Sequence, residues 1–340
     1  NEINALTSGA VTATISTGDM ATLNTLEGSG NVYAVTVTDT SATASDLLAL
    51  DGKTTSSVNA TAVTTLTGSL TDINNVLAAE TATTMTIADN FVSVVVTGTI
   101  DAADAQSLTT DARIGSGVVT ATVTGDQADD LNAALTNTAL DVLSLTVLED
   151  TVATDAADLL ALVDKTAGTI DVSNVTAIQG TVAELTAAAG VYGKADIVGL
   201  GDEAITENSG GAISVANANA LAALTTGVVT ASLSGTASTL AGLNGTGNAY
   251  TLTVSDEAVA IDIADLLALN AATTVSVNVA AIDNSHGLSG TYSEIKALFA
   301  AAAEGEFTGL AANLPISVDD TSISVSQANE INALTSGAVT

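Results

Sequence analysis

Residues 1–12, NEINALTSGAVT, return without a change as residues 329–340. A chain that repeats itself this closely is tied to a repeat architecture. Copies of one segment fold alike, and they are stabilised by stacking on their neighbours rather than around one central core. The spacing of 328 residues leads us to expect a tile of a longer array.

A shorter period lies inside this one. Gly9, Gly117, Gly227 and Gly337 each open a Gly-x-Val-Thr segment, at steps of 108, 110 and 110 residues. The motif Asp-Leu-Leu-Ala-Leu starts at Asp46, Asp158 and Asp265, at steps of 112 and 107. Three diverged modules follow, at 1–116, 117–226 and 227–336, with 337–340 starting the next tile.

Each module divides into about four strand-then-helix units. Residues 118–123 alternate apolar with polar at period two, which predicts a half-buried strand. Helical spacing of Ala128, Leu131 and Leu135 predicts a helix over 128–135. The equivalents are strands at 11–15 and 229–233 with helices at 20–26 and 237–243. The second unit gives strands at 35–37, 145–147 and 252–254. Its helices start at Thr43, Asp155 and Asp262, each followed three residues later by a carboxylate that opposes the helix dipole. Third-unit helices are expected at 70–77, 182–189 and 292–298, and fourth-unit helices at 101–108, 215–224 and 325–334.

Twelve such units, at about 27 residues each, match the coil length of leucine-rich-repeat solenoids. The expected fold is therefore α/β: a strand–helix solenoid with a stacked parallel sheet, winding into a superhelix. Winding follows because strands stack about 4.8 Å apart while helices pack about 8–10 Å apart. The alternative is a string of immunoglobulin-like β-sandwiches, which needs about seven strands and no helices.

With 5 Lys+Arg against 38 Asp+Glu the net charge is −33, which excludes nucleic acid and anionic membrane as partners. Divalent cations, neighbouring tiles and other copies of the chain are the expected partners. The composition is 47% hydrophobic but only 2% aromatic, which suits many thin layers of Ala, Val, Leu and Ile. Cysteine is absent, so there is no disulfide and no thiolate metal site. No apolar run reaches the roughly 18 residues of a spanning helix.

Catalysis needs convergent and distinct groups. Here the single histidine, His286, sits in a loop sequence, and Lys53, Arg113, Lys165, Lys194 and Lys296 are scattered. We therefore expect no enzyme. Gly199-Leu-Gly201 lacks the remaining elements of a phosphate loop. No resident cofactor is expected beyond calcium, a hard cation that takes several oxygen ligands. The candidate ligands are Asp126, Asp129, Asp130, Asp155, Asp202, Glu203, Asp256, Glu257, Asp319 and Asp320, with Glu149, Asp150 and Glu207 beside them. None has EF-hand spacing, and the competing reading is that acidic turns cap helices and keep the chain soluble. Thr-x-Thr pairs at Thr12, Thr36, Thr120, Thr122 and Thr251 suggest ladders that bind ice, against the simpler reading that Thr suits the wet face of a strand.

The VTATV strands, the AADL helices, the acidity and the near-identical long copies resemble the giant tandem-repeat surface proteins of marine bacteria and cyanobacteria, near the hemolysin-type calcium-binding group. The nonapeptide GGxGxDxUx of that group does not occur here. The resemblance implies secretion to the cell surface by a type I route. The expected function is a structural tile of an extracellular filament, sheath or surface layer. The alternatives are the spacer stalk of an adhesin and an ice- or calcium-binding array.

Overall fold

The computed structural model covers residues 1–340 and describes all of them except Asn137, Asp150, Asp256, Glu257 and Asn284. Contacts divide the chain into two compact units. One comprises Asn1–Leu148, Asp158–Asn174 and Asp196–Val198; the other comprises Glu149–Ala157, Val175–Ala195 and Gly199–Thr340.

The architecture is mixed α/β with parallel sheets. In the first unit seven strands lie in the order Ile197–Val198, Ile170–Asp171, Val142–Thr146, Val118–Val123, Ser93–Ile100, Thr65–Gly68 and Ser41–Thr43. Two smaller sheets pair Thr12–Thr14 with Val32–Ala34 and Val58–Ala60 with Met85–Ile87. The second unit has a seven-stranded sheet running from Thr154–Asp155 to Phe307–Thr308. It also has a three-stranded sheet of Ile261–Asp262, Leu288–Gly290 and Ile316–Val318. Every registered strand pair among the described residues is parallel. Antiparallel immunoglobulin-like sandwiches are therefore not the fold, because parallel neighbours need the crossover connections that the helices provide.

Register follows the apolar alternation. Val119, Ala121 and Val123 are buried along one strand, and Val229, Ala231 and Leu233 along its counterpart. Like side chains stack from strand to strand: Leu145, Ile170 and Ile197 in one unit, Ile178, Ile205 and Val229 in the other. A slip by one residue would turn each row to water, so burial fixes the pairing.

Twelve α-helices occur among the described residues, and the strand ends supply most of their caps. Thr43 Oγ1 accepts from Asp46 N at 3.1 Å, and Asp262 Oδ1 accepts from Ala264 N at 2.9 Å. Thr181 and Thr291 form full capping boxes with Glu184 and Glu294. Replacing Thr291 with alanine is expected to cost about 1 kcal/mol by removing such a cap. Thermal melts of T291A against the parent chain check it.

Several helix limits differ from the sequence expectation. The helices expected over 20–26 and 237–243 are Met20–Leu23 and Ala237–Leu240. Their last turns tighten into i→i−3 bonds, such as Leu243 N to Leu240 O at 3.0 Å. The alanine-rich helix expected over 182–189 stops at Thr186. Ala187 turns extended, and Gly190 packs so close to the Glu184 backbone that its β-carbon would lie 2.6 Å from that carbonyl oxygen. Two helices run longer than expected, as Leu70–Thr81 and Tyr292–Ala303.

Candidate functional site

The acidic residues do not converge. Among the described residues no three His, Cys, Asp or Glu side chains are grouped so as to hold a metal. Asp126 accepts from Gln127 N and Asp129 from Asp130 N, each at 2.9 Å, and Asp130 is exposed beside them. Asp155 accepts from Ala157 N at 2.9 Å, as the cap motif requires. Asp320 accepts from Tyr292 N at 2.6 Å, while Asp319 is exposed and gives its amide to Gly290 O. Asp150, Asp256 and Glu257 lie outside the described residues.

Glu203 departs most from the expected surface ligand. It is 2% exposed and is used up by its own turn: Oε2 accepts from Gly201 N at 2.8 Å and Asp202 N at 3.1 Å, and Oε1 accepts from the Tyr192 hydroxyl. Glu207 is likewise buried and accepts from Ser209 N at 3.0 Å, leaving Asp202 exposed. His286 is exposed in a turn. The threonine rows are mixed, with Thr122 between Thr99 and Ser144 but Thr120 between Val95 and Val142.

What the polar groups do build is a recurring joint between successive strands. Asn31 Oδ1 accepts from Val11 N at 2.9 Å, Asp141 Oδ1 from Val119 N at 2.6 Å, and Asn248 Oδ1 from Val229 N at 3.0 Å. On the other side a buried threonine takes over. Thr54, Thr166 and Thr273 donate to the carbonyls of Tyr33, Leu143 and Tyr250 at 2.9, 2.8 and 2.7 Å. The same hydroxyls accept amides two residues on, from Ser56, Gly168 and Val275. These residues are buried. Such satisfied buried groups specify one register, because any slip leaves them unpaired. Sequence reasoning passed over them, although each threonine lies eight residues after the Asp of the Asp-Leu-Leu-Ala-Leu motif.

Asp141 stands where the other two joints carry Asn. Burial pushes its carboxyl above the usual range, against the opposing effect of the Val119 N–H. The folded chain thus holds the Asp141 proton more tightly than the unfolded chain does. Stability is lost as pH rises from the ordinary Asp range through the raised value. Asp141→Asn is expected to raise stability at pH 7 by on the order of 1 kcal/mol. The gain should vanish below pH ~3, under the ordinary Asp value. Thermal melts at the two pH values check it.

A polar recess of about 220 Å³ in the second unit is lined by Asn270, Thr273, Ser276, Glu304 and Glu306. Asn270 Nδ2 donates to Glu306 there at 2.5 Å, so this recess too is taken up by contacts within the chain. No family model matches the sequence, and neither the curated proteins nor the solved structures contain a match to it.

Proposed function

We propose that the chain is a structural tile of an extracellular filament, sheath or surface-layer polymer, non-catalytic, with its strand–helix units stacked as a solenoid. The observation that carries this reading is the joint at Asn31, Asp141 and Asn248 with its threonine counterpart. It returns once per module, and its polar atoms hold one strand turn against the next rather than facing a ligand. Helices pack side by side along with the strands, as Ala44–Asp51 does on Leu70–Thr81 and Ile263–Ala272 on Tyr292–Ala303. The difference between strand and helix spacing then drives the polymer into a superhelix. At a net charge of −33, divalent cations at the surface would relieve self-repulsion between neighbouring copies. Electron microscopy of the native polymer tests the reading. A continuous fibre with a regular axial repeat is expected, and separate beads on a straight string would refute the solenoid.

A further inference from the structure

An asparagine side chain can react with the peptide that follows it when nothing holds its amide, nothing holds the next backbone N–H, and the next residue has no side chain in the way. Asn244–Gly245 is the one Asn–Gly step in the sequence. Residues 244–247 are all exposed, in the loop between the helix Ala237–Leu240 and the strand Ala249–Val254. Among the described residues, neither the Asn244 side chain nor the Gly245 amide has a hydrogen-bond partner. A β-carbon on Gly245 would meet only Asn248 Nδ2, at 3.9 Å, so no neighbour crowds this step.

The loop before it is held. Asn219, in the helix Val215–Ala222, donates Nδ2 to Gly242 O at 2.9 Å and accepts from Asn244 N at 2.8 Å. Gly245 and Gly247 then lie at φ 81 and 84, which glycine adopts freely. The clamp therefore fixes the main chain as far as Asn244 N and leaves the reacting groups beyond it unheld. The first module carries the same loop. Asn1 donates to Thr25 O at 2.7 Å and accepts from Glu27 N at 2.9 Å, and Gly28 and Gly30 lie at φ 79 and 74. Glu27 is exposed at the place of Asn244, so this loop tolerates a carboxylate there.

We propose that Asn244 is a site of spontaneous deamidation, with water as the co-reactant. Gly245 N attacks Asn244 Cγ. The N–Cγ bond forms, the Cγ–Nδ2 bond breaks, and Nδ2 leaves as ammonia with the Gly245 proton. Water then opens the cyclic imide. Attack at Cγ leaves aspartate; attack at the main-chain carbonyl leaves isoaspartate, whose main chain runs on through Cγ. Nothing is oxidised or reduced, and either product adds a carboxylate to a chain already at a net charge of −33.

Two related steps show what the fold withholds elsewhere. Asp51–Gly52 could close the same imide by losing water, but Gly52 N donates to Leu48 O at 3.0 Å and Asp51 Oδ2 accepts from Thr84 Oγ1 at 3.1 Å. Asn208 is exposed, yet the following Ser209 N donates to Glu207 Oε1 at 3.0 Å. In both, the nitrogen that must attack is already engaged.

The test incubates the full chain at neutral and at mildly alkaline pH, folded and unfolded in guanidinium, and maps its peptides by mass spectrometry. In the folded chain the peptide holding Asn244 is expected to convert first, into both the aspartate and the isoaspartate form. Conversion should be faster at the higher pH, because the attacking amide must lose its proton. Unfolding should change the Asn244 rate by less than about tenfold, a small difference in barrier, while Asn208 and Asp51 each react faster once unfolded. Asn244→Gln should abolish the conversion, since its longer side chain would have to close a larger ring. Asn244→Asp, the product form, should melt with the parent, as Glu27 in the sister loop implies. A fold that protects Asn244 by about tenfold or more against the unfolded chain overturns the proposal. So does a folded chain in which Asn208 or Asp51 converts as fast as Asn244.

Discussion

Gly227→Ala is expected to destabilise the chain by about 3 kcal/mol, the upper range of what forcing extra atoms into a closed contact costs. A β-carbon there would lie 2.6 Å from the carbonyl carbon of Glu203 and 2.8 Å from Asp202 O. Both neighbours are backbone, so no side chain can swing away. The strand would have to lift from Ala204–Glu207, against the amide that Ile205 gives to Val228 O at 2.9 Å. Strain of the dihedral angles is not the cause, because Gly227 does not occupy the left-handed region. Gly211 supplies the control, since nothing lies within 4 Å of its β-carbon. Gly211→Ala should stay within about 0.5 kcal/mol of the parent, as surface changes do. Urea midpoints of the two variants check this. Equal midpoints would mean that the glycine marker is a relic of duplication with no steric role.

That marker shows how far the sequence could be read. Its recurrence at Gly9, Gly117, Gly227 and Gly337 gave the module period, and the strands beginning beside it lie where alternation placed them. Its cause could not be read, because the close approach of Phe91, Glu203 and Leu314 carbonyls joins residues more than twenty positions away. Helix starts were legible for the opposite reason. A cap and its amide lie within three residues, as Thr43 and Asp46 do. Helix ends were less so, since Thr186 and Leu240 stop where turns and packing decide.

The acidic residues were the least legible group. Counting carboxylates grouped Asp202, Glu203 and Glu207 as one cluster of ligands. In the fold, Glu203 and Glu207 turn inward to accept backbone amides and Asp202 faces water. The direction in which a turn residue points depends on which neighbouring N–H groups lack a partner. Composition carries no such information. Asparagine and threonine were passed over for the converse reason: Asn is an ordinary turn residue and Thr an ordinary one on the wet face of a strand, and only their register against the next strand makes Asn248 and Thr166 buried joints.

Thr166→Val should show the energy held in one such joint. The Thr166 hydroxyl donates to Leu143 O at 2.8 Å and Asp141 O at 3.1 Å, and accepts Leu143 N at 2.9 Å and Gly168 N at 2.8 Å. Valine keeps the shape and removes every one of these bonds. Two buried amides are then left without a partner, at about 1–3 kcal/mol each, so a loss of about 3 kcal/mol is expected. Water cannot replace the hydroxyl without opening the strands, because Gly168 lies against the Leu143 backbone, with its β-carbon position 2.7 Å from the carbonyl carbon. Thr166→Ser keeps the hydroxyl and removes one methyl, so it should cost no more than about 1 kcal/mol. Hydrogen exchange separates the two, with protection of the Leu143 and Gly168 amides falling in the valine variant and holding in the serine one. If valine proves no more damaging than serine, apolar stacking of Leu145, Ile170 and Ile197 alone sets the register, and the buried threonines only fill space.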